Sequence, residues 1–121
     1  LCSALFNEFI LSACGIWPRR EVPAAYFATV TADKPVLLFS GEGDPITPPV
    51  WGEAVAAGLP YSLHLVLAGF GHGTLFTGCT AGIMNAFIES GTLADLDTGC
   101  VSQFHRRPFF VTPGGSTLSG D

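Results

Sequence analysis

The run Val36-Leu37-Leu38-Phe39 is preceded by Pro35 and closed by Gly41, Gly43, Asp44 and Pro45. An apolar run this short, without polar alternation and with turn residues at its end, fits a parallel β-strand buried on both faces. The residues that follow read as the crossover that a parallel pair needs. Thr47 is placed as a helix N-cap, with Pro48 at the first helical position. Trp51, Ala54, Val55, Gly58 and Leu59 then recur at helical spacing until Pro60. "YSLHLVLAG" (61–69) supplies a second strand in which Leu63, Leu65 and Leu67 alternate with other residues. Two strands joined by a helix predict a right-handed βαβ unit with a parallel pair.

Around that unit the periodicity predicts two more helices. Leu5, Phe6, Phe9, Ile10 and Ala13 share one face of an amphipathic helix over 2–14. Cys79, Ile83 and Phe87 share a face of another, running from about Thr80 to Ser90, with Gly91 as its stop. Residues 17–35 hold three prolines without a clear period and read as a connection. "TLADLDTGCVSQFHRRPFF" (92–110) reads as an extended returning segment, and 114–121 as a flexible tail. The fold class is therefore α/β, in the order helix, strand, helix, strand, helix. Two parallel strands alone leave two apolar edges, so the sheet is expected to be incomplete, a part of a larger one.

The chain of 121 residues is long enough for one domain. Charged residues make up only 12% of it against 48% apolar, about half the usual charged fraction, which suits a buried core better than a freestanding surface. A net charge of −5 provides no basic face, so nucleic acid is not an expected partner. No apolar run approaches the ~20 residues of a membrane span. The sequence opens at Leu1 inside a helical pattern, without Met or a leader, which reads as a truncated start. The missing leader says nothing about the location of the parent protein.

Four cysteines, Cys2, Cys14, Cys79 and Cys100, allow three full pairings. None falls in a C-x-x-C, and no histidine has ligand spacing to them, so no metal is expected. Along an unbroken helix Cys2 and Cys14 lie about 18 Å apart at ~1.5 Å per residue. That exceeds the roughly 7 Å a disulfide permits, so those two are not expected to pair. The residues alone leave both disulfides in an oxidising compartment and buried thiols open.

Chemistry in open α/β sheets gathers at the carboxyl ends of strands. Asp44 lies just beyond the first strand, and His72 in "AGFGHGT" (68–74) just beyond the second. Neighbouring parallel strands run about 4.8 Å apart, so side chains from their exit loops can meet. An aspartate that accepts an imidazole N–H fixes the tautomer and stabilises the cation formed when histidine acts as a base. Each residue also has a structural reading, Asp-Pro as a turn opener and His72 as a loop cap. Their joint placement favours catalysis. Glu42, two residues before Asp44, is a rival acid that the turn is expected to absorb. His64, within a strand, and His105, in "FHRRP", read as structural. "GEGDP" and "GFGHG" do not complete a G-x-G-x-x-G, so no phosphate loop and no cofactor are expected.

"PVLLFSGEGDPITPPVWGEAVAAGLP" followed by "LVLAGFGHG" resembles the last third of an α/β-hydrolase. More narrowly, the chain resembles the C-terminal region of the secreted tripeptidyl aminopeptidase-like (TAP-like) group, related to proline iminopeptidases. "ACGIWPRREVP", Cys79, Phe87, Gly91, the Leu96-Asp97 pair, Cys100 and the closing "RRPFF" carry that narrower likeness. It covers about residues 12–110, within a hydrolase portion drawn at 1–113. The resemblance implies that Asp44 is the acid and His72 the base of a Ser-Asp-His triad. It also implies that Cys79 and Cys100 form a disulfide, for which the intervening chain is long enough.

In that family the nucleophile precedes the acid and the base. No G-x-S-x-G occurs in the sequence, so the serine and the oxyanion donors are expected upstream of Leu1. The implied function is the C-terminal portion of a secreted or extracytoplasmic aminopeptidase-type serine hydrolase. It would act on peptides or small esters and amides, with the preceding part of the hydrolase domain as its partner. Two other readings stay open: a hydrolase with an aspartate nucleophile, and a non-catalytic or degenerate binding domain. The cysteine pattern and "RRPFF" speak against the first of these.

Overall fold

The computed structural model describes residues 2–18 and 20–109. The tail expected at 114–121 and the last residue of "RRPFF" lie outside them. In chain order the elements are α1 (Cys2–Ile16), a 3-10 turn at Ala24–Phe27, β1 (Val36–Gly41), α2 (Pro49–Ala56), β2 (Ser62–Leu67), α3 (Thr80–Ser90) and a 3-10 turn at Gly99–Gln103. β1 and β2 pair in parallel, with Val36 opposite Ser62 and Gly41 opposite Leu67. Both strands therefore end at the same level, and their exit loops begin side by side. Helix α2 is the crossover and packs on both strands.

The apolar run predicts a strand that stops at Phe39, whereas β1 continues through Ser40 and Gly41, which are its buried end. The run itself is only half-buried, because the described sheet has two strands and covers β1 on one edge. α2 also begins one residue later than its prolines suggest. Pro48 is the N-cap and Pro49 the first helical residue, and no side chain caps the helix. Thr47 is not the cap because its hydroxyl is engaged by Asp44 instead.

Leu59, Leu67 and Ile83 are the buried apolar residues among those described, and Thr80 is fully enclosed as well. Thr80 keeps its hydroxyl satisfied by donating to the Thr74 carbonyl at 2.7 Å. α1 forms over the predicted span, but its apolar face is not buried in this chain. Leu5, Phe6, Phe9, Ile10 and Leu11 are all exposed. Helix periodicity reports which residues share a face and not what covers it. α3 matches its prediction residue for residue, and Gly91 ends it in the left-handed conformation at φ 65°. The stretch after α3 is not wholly extended as its sequence suggests. It winds into a 3-10 turn at Gly99–Gln103, where the Asp97 carboxylate accepts the Gly99 N–H at 3.0 Å.

Cys79, at the start of α3, and Cys100, in that turn, form a disulfide with their Cα atoms 6.5 Å apart. With a separation of 21 residues in sequence, the bond removes closure entropy worth roughly 3 kcal/mol from the unfolded chain. Reduction, or Cys100→Ala, is expected to lower the unfolding free energy by about that amount in chemical denaturation. Coincident curves with and without reductant would contradict it.

Candidate functional site

Asp44 lies three residues beyond Gly41 and His72 five beyond Leu67, so each hangs from the carboxyl end of its strand. Backbone bonds stitch the two exit loops together before the side chains meet. The Glu42 N–H donates to the Leu67 carbonyl at 3.0 Å, and the Gly43 N–H to the Phe70 carbonyl at 2.8 Å. Gly41 makes that approach possible, since a Cβ there would fall on the carbonyl oxygens of Gly71 and Phe70. Gly41→Ala is accordingly expected to cost about 1–3 kcal/mol through overpacking. Equal denaturation midpoints for the variant and the parent chain would show that the loops do not need this contact.

His72 Nδ1 lies 2.9 Å from Asp44 Oδ2. The Asp44 side chain is 5% exposed and the His72 side chain 56%, so a buried acid holds an imidazole that faces outward. Asp44 is surrounded by donors. The amides of Ile46 and Thr47 donate to Oδ1 at 2.8 and 3.0 Å, and the Thr47 hydroxyl donates to Oδ2 at 2.7 Å. Burial is the largest single influence on this carboxyl and works against its charge. The hydroxyl and amide of Thr47, His72 and the Ile46 amide together outweigh it and hold the group well below the usual carboxylate range.

An ionised carboxylate only accepts hydrogen bonds, so the proton between the two residues belongs on His72 Nδ1. The neutral ring then carries its lone pair on Nε2. This is the state required of a general base, with the acid placed to stabilise the imidazolium that forms. A cleft of about 380 Å³ opens beside the pair, lined by residues 37–41 of β1, Asp44, Thr47 and residues 72–75.

Glu42, the rival acid, is turned elsewhere. Its Oε2 accepts the Gly69 N–H at 2.9 Å and lies 3.5 Å from Arg106 Nη2. The Gly69 amide and then the Arg106 guanidinium hold its carboxyl below the usual value. His64 Nε2 and Ser40 Oγ share a hydrogen bond of 2.9 Å beneath α2, and His105 Nδ1 donates to the Gln103 carbonyl at 3.0 Å. Neither histidine joins the Asp44–His72 pair. Among the described residues no group of three or more His, Cys, Asp or Glu comes together as a metal site, and no helix is long and apolar enough to cross a membrane.

Sequence reasoning misses the part of Thr47. Its hydroxyl donates to Asp44 and lies 3.3 Å from His72 Nδ1, so it braces both members of the pair. The signal is present in the Asp44–Thr47 spacing, which lets an aspartate accept hydrogen bonds from residues two and three positions on. One of the glycines near His72 is required by a close approach of the chain. Gly69 takes φ +76°, and a Cβ on it would lie 2.6 Å from Arg106 Cα.

A protein-family model described as "TAP-like protein" matches residues 3–100, a span from α1 through α3 to the second cysteine of the disulfide. No curated protein and no solved structure matches the chain.

Proposed function

The chain belongs to the TAP-like family of α/β-hydrolases, and from that premise we propose that it supplies the acid and the base of a serine hydrolase whose nucleophile lies in the segment preceding Leu1. The observation that carries the proposal is the 2.9 Å contact between a buried Asp44 and an outward-facing His72 at adjacent strand exits. In a hydrolase-related domain that geometry has a ready use. His72 Nε2 takes the proton from the serine hydroxyl as the serine oxygen bonds to the substrate carbonyl carbon. It returns that proton to the leaving nitrogen as the C–N bond breaks, and water then releases the acyl group by the same steps with water as nucleophile. Asp44 keeps the ring in its productive tautomer throughout.

Within this reading the substrates are peptides approached from their N-termini, or small amides and esters. The parent protein works outside the cytoplasm, for which the Cys79–Cys100 disulfide is compatible support. The coding sequence before Leu1 tests the proposal. An in-frame G-x-S-x-G between a predicted strand and a predicted helix supports it, and a stop codon or an unrelated segment there overturns it.

A further inference from the structure

The loop that presents His72 is held on either side of the histidine. On its far side Thr74 is held by the buried Thr80 hydroxyl. On its near side the chain that returns after the disulfide lies against Gly69 and Phe70. The backbone at 105–106 lies directly on Gly69, where a Cβ would meet Arg106 Cα at 2.6 Å and the His105 carbonyl oxygen at 2.8 Å. The Phe104 ring packs edge-on against Phe70, with centroids 5.0 Å apart, and its rim also touches Gly78. Glu42 joins the three parts, since one of its oxygens accepts the Gly69 N–H and faces Arg106. The root of this returning segment is Cys100, tied to Cys79 beside Gly78.

We propose that residues 104–106 form a strap that positions His72, with Phe104 and the Glu42–Arg106 pair as positioning residues and the disulfide as the strap's anchor. Phe70 is two residues from His72, and its carbonyl also receives the Gly43 N–H from the acid's loop. A strap on Phe70 therefore fixes the base relative to the acid. His105 and Arg106 present exposed side chains, and it is their backbone that lies against Gly69 of the His72 loop, while the Arg106 side chain faces Glu42. In its consequence for turnover the inference rests on the hydrolase reading. In its consequence for the imidazole it does not.

The test has two arms. The proton that His72 Nδ1 shares with Asp44 should give a low-field signal in the NMR spectrum of the histidine-labelled chain. Phe104→Ala is expected to broaden or remove it, Phe104→Tyr to restore it, and Arg106→Ala, at an exposed side chain, to weaken it without unfolding the protein. In the complete enzyme Phe104→Ala is expected to lower kcat about tenfold with KM within about twofold, the pattern of a misplaced base and not of a lost binding contact. An unchanged imidazole signal in both alanine variants would overturn the strap, as would a kcat loss that only tracks the unfolded fraction. If the wild-type protein hydrolyses nothing, the hydrolase reading is what fails, and the imidazole signal decides the strap on its own.

Discussion

His72→Ala, made in the complete protein, is expected to lower kcat by about 10⁴-fold or more, because removing the base of a triad disables the acid and the nucleophile with it. KM should stay within a few-fold, the pattern expected of a group whose loss is felt in the transition state and not in substrate binding. The fold should stay as well. The His72 side chain is more than half exposed, and Asp44 keeps the Thr47 hydroxyl and two backbone amides as partners when the ring is gone. Steady-state kinetics with a chromogenic peptide amide, beside a thermal melt, check both halves. A variant that melts normally and retains turnover within tenfold of wild type would remove His72 from the mechanism.

The second large effect belongs to Asp44→Asn, expected to cost about 10⁴-fold in kcat through the tautomer. The amides of Ile46 and Thr47 require an acceptor in the place of Oδ1, so the substituted carboxamide would keep its oxygen there and turn its NH₂ toward Thr47 and His72. A donor facing Nδ1 forces the ring proton onto Nε2, where it blocks the base. Glu42→Ala separates the two acids. It loses only the contacts to Gly69 and Arg106, and the expected cost is about tenfold or less, as befits a group that positions a loop without touching the reacting atoms.

Asp44 also sets a pH dependence of stability. Its folded pKa is depressed, so its contribution is fully present above the unfolded value of about 3.9 and is lost as pH falls from there through the folded value. Asp44→Asn should therefore flatten the stability profile below pH 4 and leave its shape near neutrality unchanged. Parallel profiles for variant and wild type in acid would contradict the assignment of that charge.

Local signals carry the elements and the two ends of the site. The apolar run at Val36, the alternation through Leu67 and the glycine after Ser90 are decided by neighbours in sequence, and the strands and helices they announce are present. The parallel pairing follows from the crossover, and with it the neighbourhood of Asp44 and His72. Other features depend on contacts between distant residues. Thr47 looks like a cap because threonine is favoured at N-caps and proline at the first helical position, and its tie to His72 exists only once the two exit loops lie together. Phe104 and Arg106 show no pattern that points to Phe70, Gly69 or Glu42, which are more than 30 residues away in sequence. Nor can periodicity tell that the apolar face of α1 is formed and left uncovered. The disulfide is legible through resemblance alone, since four cysteines allow three pairings.

His72, held by Asp44, is proposed to activate a serine. Labelling the natural protein that contains this chain with a fluorophosphonate, and mapping the adduct by mass spectrometry, tests it most directly. One labelled serine is expected, in a G-x-S-x-G N-terminal to Leu1, with labelling lost in His72→Ala. Absence of any labelled serine, or a label indifferent to His72, would contradict it.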